Sequence, residues 1–439
     1  MSSRICFHVQ GLTNTTQSLG NILNVQLYGA TTIKGSAHIG NKLPDQVQRL
    51  GITTTIAAFD FLTIAMAVTA ADSFVPRDRQ GENGWAREFE LEIPLASPTT
   101  WTPVTRRLES MLRFLSGDTW RFTFRGGGRK PPNGMQNDKK RIANLSGVDC
   151  VSLFSGGLDS WIGVNELLKD GRVPLLVSHA YTGDRKFQEK LFPKFVGRAE
   201  RFWANASPMR QFSGHDTTMR TRSLNFLAFA AVASEAIAQL RADGSVIPLY
   251  VPENGFIALN APLTHRRVGS LSTRTTHPHY LSELHAIFQE VGIRAKIENP
   301  YRHVTKGQML LSYKPSDGQI EDAMNTVSCG KWKRKRMQCG HCVPCIIRRS
   351  SFFAAGIQDT TPYHMTLHQA IAHGNPHTKD DVMSMALAVQ PTSSSQLRKR
   401  ALASGPLPME AIERQGWFDV HQKGLYEVGK YLRSEGLVT

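Results

Sequence analysis

Apolar runs of strand length alternate with longer helical patterns through the middle of the chain. The runs VDCVSLF, VPLLVSHAY and SVIPLYV are short and rich in β-branched residues, which predicts strands. The stretches between them, residues 158–168, 187–203 and 223–240, have the apolar spacing of helices. Strands separated by helices predict an α/β domain with a doubly wound parallel sheet over residues 148–360. Ligands bind such sheets beside the carboxyl ends of strands, so the loops after the first two runs are candidate sites.

The pattern changes on both sides of this region. Residues 1–125 mix strand-like runs with helical segments, of which Thr105 to Leu115 is the clearest, and predict an α+β domain. Residues 126–147 are rich in glycine, proline and basic side chains and are predicted to be a linker. Residues 361–439 contain helix-like pieces around a Ser/Pro-rich break and predict a helical extension. Neither flanking region holds a catalytic constellation, so we expect both to recognise a partner.

One long, weakly polar stretch bears on localisation. Residues 52–71 carry Asp60 and five threonines, so they are predicted to form a buried helix rather than a membrane span. The first residues break their apolar run with His8 and Gln10, unlike a secretory signal. These features predict a cytoplasmic protein with no membrane partner.

Composition narrows the class of protein. The 439 residues include 41% hydrophobic and 20% charged side chains, which excludes wholesale disorder. Lys and Arg exceed Asp and Glu by 16, a balance that favours acidic or phosphate-bearing partners without naming one.

The loop after the first predicted strand has the composition of an anion site. Two glycines allow a sharp turn, two serines supply hydroxyl groups, and the following helix presents its positive N-terminus. The loop lacks the Lys-Ser/Thr ending of a Walker P-loop, and a plain capped turn is the alternative. Asp159 would repel phosphate unless it held Mg²⁺. The loop residues are Ser155, Gly156, Gly157, Leu158, Asp159 and Ser160.

Four cysteines are spaced as metal ligands. Two CxxC turns and a fourth thiolate suit a structural zinc site, with a [4Fe–4S] cluster as the alternative. The basic loop at residues 331–336 is either a solvated loop or a contact for an acidic partner. The predicted zinc ligands are Cys329, Cys339, Cys342 and Cys345.

These two motifs together resemble one enzyme family. SGGLDS matches the PP-loop of the ATP pyrophosphatases, and CGHCVPCIIRR resembles the zinc knuckle of their QueC branch, the 7-cyano-7-deazaguanine synthases. Weaker matches in VSHAYTGDRKF, RSLNFLAF and NPYRHVTKGQM retain Tyr181, Arg222 and Lys306. The resemblance spans about residues 148–358 and implies a HUP-like fold. It also implies that the PP-loop residues bind the pyrophosphate of ATP and Mg²⁺.

Three residues are predicted to line a substrate pocket beside the ATP site. Tyr181 is predicted to stack on a flat heterocycle, Arg222 to bind a carboxylate or phosphate, and Lys306 to offset charge at the adenylate. The alternatives are a core aromatic for Tyr181 and surface cations for Arg222 and Lys306.

The resemblance also implies a reaction. A 7-carboxy-7-deazaguanine carboxylate would attack ATP, release pyrophosphate and then pass to an amine. Residues 85–95 and 112–124 resemble the N-terminal domain of QueC-like proteins in bacterial anti-phage systems, closest to the QatC proteins of the Qat system. That likeness implies that the acceptor is the N-terminal amine of a QatB-like protein encoded in the same operon.

Three other functions compete with this one: a plain 7-cyano-7-deazaguanine synthase, a tRNA-modifying thiolase or lysidine synthase, and a non-enzymatic scaffold. Nucleic acid is a possible partner but is not favoured, because residues 1–125 contain no aromatic-basic RNA module and no catalytic CxxC lies apart from the four zinc ligands.

Overall fold

Two sheets organise the protein. The computed structural model describes residues 2–11, 22–82, 84–136, 141–179, 184–210, 220–264, 274–331 and 337–439. The first sheet belongs mainly to residues 1–125, and the second forms the centre of the middle region.

The first sheet is mostly parallel. Its strand order is β5-β4-β1-β2-β3-β9, and only the last pair, β3 with β9, is antiparallel. Its strands are β1 (Ser3–His8), β2 (Ile22–Leu27), β3 (Ala37–Ile39), β4 (Glu88–Pro94), β5 (Thr119–Arg125) and β9 (Met209–Arg210). The helices among them are α1 (Leu43–Gln48), α2 (Ile56–Phe74), α3 (Arg77–Gln80), α4 (Pro98–Trp101) and α5 (Thr105–Ser116).

The prediction of an α+β domain is therefore wrong about this sheet. Helical crossovers join several of its strands, and crossovers of that kind permit parallel pairing. The predicted helix Thr105–Leu115 is confirmed as α5, which ends at Gly117 in the left-handed conformation, φ 76°. Strand β9 comes from outside residues 1–125, so the middle region completes the first sheet.

The second sheet confirms the predicted parallel α/β architecture. All its neighbouring strands are parallel, in the order β11-β10-β6-β7-β8. The strands are β6 (Cys150–Leu153), β7 (Pro174–His179), β8 (Glu200–Ala204), β10 (Ile247–Tyr250) and β11 (Ala295–Glu298). The helices among them are α6 (Leu158–Lys169), α7 (Asp184–Leu191), α8 (Arg222–Arg241), α9 (Gly255–Leu259) and α10 (Pro278–Val291).

Both faces of this sheet are covered. Because successive side chains on a strand point to opposite faces, Leu175 and Val177 of β7 join a core with α8, whereas Leu176 joins a core with α6. After β6 the chain adds β7 and β8 on one side of it, and then adds β10 and β11 on its other side. The strand order therefore reverses between β6 and β10, which makes this position the topological switch point of the sheet.

One hydrophobic core joins the two sheets. Helix α2 packs along α8, and a single buried cluster runs from β1 through both helices to β11. Thr54 donates a hydrogen bond to the carbonyl of Val232, and Thr221 donates two to Asp72, at 3.0 and 2.8 Å. The first sheet therefore does not have a separate core.

Helices α2 and α8 are both long and apolar enough to cross a membrane. Their apolar windows are 89% and 78% buried inside the protein, as expected for core helices of a soluble protein. This burial agrees with the prediction of a buried helix at residues 52–71.

The region predicted to be a linker lies against the first sheet's region. Its described residues form neither helix nor strand, but Gly128 donates to the Leu95 carbonyl and Met135 to that of Gln48, both at 3.0 Å. Residues 137–140 lie outside the described part.

The C-terminal part is helical, as predicted for residues 361–439. Its helices are α14 (Leu367–His373), α15 (Pro376–Ala388), α16 (Ser394–Leu402) and α17 (Ala411–Ser434). Between β11 and this part lie α11 (Lys306–Tyr313), α12 (Asp317–Met324) and α13 (Val343–Ala354). Helix α17 packs on α13 and α9, which brings it beside the second sheet.

Candidate functional site

The SGGLDS loop joins the carboxyl end of β6 to α6. Gly156 has φ 82°, and a Cβ there would lie 3.1 Å from the Cβ of Phe187, so the turn requires glycine. Gly157 is the N-cap of α6, which places the loop at the positive end of a 12-residue helix. The side chain of Leu158 is buried in the core, so only its backbone is available to a ligand.

The loop's hydroxyl groups brace its backbone. Ser155 Oγ accepts from the Gly157 amide at 3.2 Å and lies 3.2 Å from Ser160 Oγ. Ser160 Oγ donates to the Gly157 carbonyl at 2.9 Å. The turn is therefore closed by its own side chains, and the amides at the start of α6 lie at the positive end of the helix, where anions bind.

Asp159 is buried and held by two other segments. Lys306 Nζ lies 2.9 Å from Asp159 Oδ1. Asn254 donates to Oδ2 from its side chain at 2.7 Å and from its backbone at 3.1 Å. Burial acts to raise the pKa of Asp159, but Lys306 and the hydrogen bonds from Glu253 and Asn254 outweigh it and lower the pKa.

A second carboxyl group adjoins this pair. Glu253 is the residue before Asn254, whose side chain lies 3.3 Å from Glu253 Oε1. Burial, and then the charge of Asp159, raise the pKa of Glu253 well above its ordinary value. A raised pKa favours the protonated form of Glu253, which can donate a hydrogen bond to Asp159.

Helix starts place these groups at the switch point between β6 and β10. Asn254 caps α9 by accepting from the Ile257 amide at 3.0 Å, while its amide group holds Asp159. Lys306 is the first residue of α11, whose N-cap Thr305 forms a capping box with Gln308. Three separate segments therefore converge on one crevice, where ligands of such sheets bind.

Among the predicted pocket residues that the structure describes, Lys306 lies in this crevice. Lys306 is 4% exposed, so its alternative as a surface cation does not hold. Arg222 is the first residue of α8, one turn before Phe226, whose ring packs on His179 at the end of β7. Tyr181 lies outside the described residues.

The same crevice holds groups that would ligate a divalent cation. Asp159 and Glu253 present two adjacent carboxyl groups, the donors that Mg²⁺ prefers, beside a helix N-terminus suited to phosphate. Sequence reasoning missed Glu253 and Asn254. The only available signal was their position directly after the third strand-like run, SVIPLYV.

The four cysteines form a possible metal site. Their sulfur atoms all lie within 4.8 Å of one another and all four residues are buried. Cys339–Cys345 and Cys329–Cys342 have Sγ–Sγ distances of 3.9 Å, against about 2.05 Å in a disulfide. Zn–S bonds of about 2.3 Å give tetrahedral edges of about 3.8 Å, so the geometry fits zinc.

The metal site is built into the PP-loop's surroundings. Val327, two residues before Cys329, donates to the carbonyl of Gly156 at 3.0 Å. Arg348, which follows the cysteines, is fully buried and donates to Thr326 Oγ1 at 2.7 Å. The segment that leads into the metal site therefore supports the loop at the switch point.

The basic loop between the first two cysteines is described only at its start. Lys331 forms an ion pair with Asp381 at 2.6 Å. Residues 332–336 lie outside the described part, so the predicted contact with an acidic partner stays a prediction.

Comparison with known proteins relates part of the chain to one class of enzyme. No family model matches the chain. The chain is similar to curated 7-cyano-7-deazaguanine synthases of Pseudomonas paraeruginosa and Pseudomonas aeruginosa, each 26% identical over 233 residues. Each match covers 48% of this chain and 97% of the relative. This distant homology supports a QueC-like enzyme and leaves about half of the chain without a counterpart.

Proposed function

We propose that this protein is a QueC-like ligase that uses ATP to adenylate a carboxylate of the 7-carboxy-7-deazaguanine type. The observation that carries the proposal is the buried Asp159 in a glycine-rich loop at a helix N-terminus, held by Lys306 at the switch point. The similarity to 7-cyano-7-deazaguanine synthases supports the substrate class.

The chain's own groups account for binding and charge. The amides of residues 158–160, at the N-terminus of α6, would bind the phosphates of ATP. Asp159 and Glu253 would hold Mg²⁺, which neutralises charge on the phosphate oxygens when bound. Lys306 would offset negative charge that develops near the α-phosphate.

The proposed reaction has two steps. A carboxylate oxygen attacks the α-phosphorus, the bond from that phosphorus to the bridging oxygen breaks, and pyrophosphate leaves. An amine then attacks the acyl carbon, AMP leaves, and the amine proton passes to water. Adenylation is required because a free carboxylate is a poor electrophile and AMP is a good leaving group.

We propose that the amine is the N-terminus of a partner protein encoded in the same operon, and that the reaction serves anti-phage defence in the cytoplasm. The support is the half of the chain that lacks a counterpart in the relatives, together with the resemblance of residues 85–95 and 112–124 to QatC proteins. A QatB-like protein is the proposed acceptor.

Pyrophosphate release from ATP, with 7-carboxy-7-deazaguanine present, tests the adenylation step. Asp159→Asn and Ser160→Ala should each lower the rate at least about a hundredfold, because phosphate-site groups stabilise developing charge. Asp170→Asn, at the other end of α6, is the matched control and should keep the wild-type rate. Wild-type rates in both loop variants would exclude this site.

Intact mass spectrometry of the co-expressed partner tests the acceptor. The proposal predicts a deazaguanine mass increment at the partner's N-terminus that disappears with Asp159→Asn. An unmodified partner, with nitrile formed from ammonia, would instead identify a plain 7-cyano-7-deazaguanine synthase.

A further inference from the structure

A groove rich in arginine lies behind the PP-loop, across α7. Two adjoining cavities of about 690 and 230 Å³ open between α1, α7 and β8 and share several lining residues. We call this site the arginine groove and define it by Arg49, Arg141, Arg185, Phe192, Arg201 and Trp203. Its larger cavity has the volume of a small-ligand site.

The positive charge of the groove is only partly neutralised. Arg141 pairs with Glu200 at 3.4 Å and Arg185 with Glu189 at 2.5 Å, and both arginines are largely exposed. Among the described residues, Arg201 has no carboxylate within salt-bridge distance. Burial lowers the pKa of Arg201, and the charges of Arg185 and Arg141 lower it further against the opposing effect of Glu189.

Three buried N–H groups at the groove lack an acceptor among the described residues. They are Nε of Arg49, Nε of Arg201 and Nε1 of Trp203. A buried donor without a partner is costly and uncommon in proteins. These three groups are buried behind the groove, so the donors that a ligand can reach are the terminal nitrogen atoms of the exposed Arg141 and Arg185.

The arginines lie over aromatic rings. The guanidinium carbon of Arg185 lies 5.0 Å from the Trp203 ring centre, and those of Arg201 and Arg141 lie 5.3 and 5.9 Å from the Phe192 ring centre. Nucleic-acid bases stack on aromatic rings and on guanidinium planes, while arginine binds phosphate through two parallel hydrogen bonds. An acidic peptide would use the charges but not the flat surfaces.

We propose that the arginine groove binds a nucleotide, its phosphate held by the arginines and its base stacked on a guanidinium or aromatic plane. The nucleotide is either free or part of a single RNA strand. Arg201 donates to Gln188 Oε1 at 3.3 Å, and Gln188 donates to the Ser155 carbonyl at 3.2 Å. The side chain of Gln188 therefore links Arg201, which a ligand in the groove would contact, to the backbone of the PP-loop.

Binding to the full-length chain tests the proposal. The probes are fluorescein-labelled decauridylate and free UMP, each added with saturating α,β-methylene-ATP so that the PP-loop is occupied. The test variant combines Arg141→Glu and Arg185→Glu, both at exposed side chains. The control combines Arg198→Glu and Lys169→Glu, which are exposed, lie outside the groove and change the net charge equally.

The expected result is at least a tenfold rise in the dissociation constant of one probe for the test variant and little change for the control. For decauridylate, the slope of log affinity against log salt should fall by about 1.4, or 0.7 for each lost phosphate contact. Binding of UMP indicates a free nucleotide, and binding of decauridylate alone indicates a strand. Equal loss in both variants, or binding of neither probe, would overturn the proposal.

Discussion

At the scale of single residues, His277 connects three parts of the chain. It is the N-cap of α10 and accepts from the His279 amide at 3.2 Å, while its Nε2 lies 3.0 Å from Ser404 Oγ in the C-terminal part. Its ring packs edge-on against Phe114 of α5. Burial, with the charges of Arg274 and His279, lowers its pKa to about 3.

This lowered pKa predicts a loss of stability in acid. Below pH ~6.5 the unfolded chain protonates His277 while the folded chain does not, so the free energy of unfolding falls as the pH drops toward 3. Between pH 6.5 and 5 this group should contribute a loss of about 2 kcal/mol. Urea unfolding at several pH values should show a shallower pH dependence for His277→Asn.

The substitution keeps a capping side chain at the start of α10. His373→Asn, at an exposed histidine, is the control and should retain the full pH dependence. If both variants show the wild-type dependence of unfolding free energy on pH, protonation of His277 is not the cause of that dependence.

At the scale of elements, α17 supports the crevice from the C-terminal extension. Glu427 accepts a hydrogen bond from Thr305, the N-cap of α11, and another from the Gly307 amide. A Cβ at Gly307 would lie 2.8 Å from both carboxylate oxygens of Glu427. Helix α17 also packs on α9, which follows Asn254. It therefore positions both segments that hold Asp159.

Glu427→Ala should lower the rate constant of pyrophosphate release about tenfold or more, with a smaller effect on the KM for ATP. The reason is that Lys306 loses its fixed position against Asp159, and small misplacements are costly in catalysis. Glu427→Gln keeps an acceptor oxygen and should restore most of the rate. Glu410→Ala, at the start of the same helix, is the control. A purely structural role would lower thermal stability and leave the activity of the folded fraction unchanged.

The four cysteines stabilise a segment that contacts the PP-loop, so removing one of them should affect both sites. Cys345→Ser should reduce the bound zinc from about one per chain. It should also destabilise the segment that carries Val327, because the free energy of metal binding contributes to the folding of that segment. Since Val327 donates to Gly156, pyrophosphate release should fall as well. Metal analysis by mass spectrometry checks the first effect, and Cys150→Ser is the control. Iron with sulfide at the same stoichiometry would contradict the assignment.

The second sheet was predictable because buried parallel strands are continuous apolar runs that stand out between helices. The first sheet was harder to predict from the sequence, because β9 has only two residues and pairs with β3, which is far from it in sequence. The cysteine cluster and the PP-loop could be predicted because each is a motif within a short stretch of sequence. The contacts of Asp159 with Asn254 and Lys306 could not be predicted, because they depend on how three distant segments fold together.

At the scale of the whole molecule, the shared core predicts the outcome of truncation. Removing residues 1–125 would strip α2 from α8 and expose a long apolar helix, as well as remove the partner strand of β9. The truncated chain should therefore be insoluble or lack cooperative unfolding. Soluble expression and calorimetry check this. A truncated chain that unfolds cooperatively and releases pyrophosphate would show that the regions fold separately.

The pairing of α2 with α8 also has a consequence for biosynthesis. About 150 residues separate Phe74 from Arg222, so at about 5–20 residues per second a ribosome takes roughly 7–30 s to supply α8 after α2 has been made. During that interval the side of α2 that packs on α8 stays uncovered, although β2 and β3, which are made earlier, can cover another side of this apolar helix. We therefore expect that chaperones bind the uncovered side of α2 until α8 emerges.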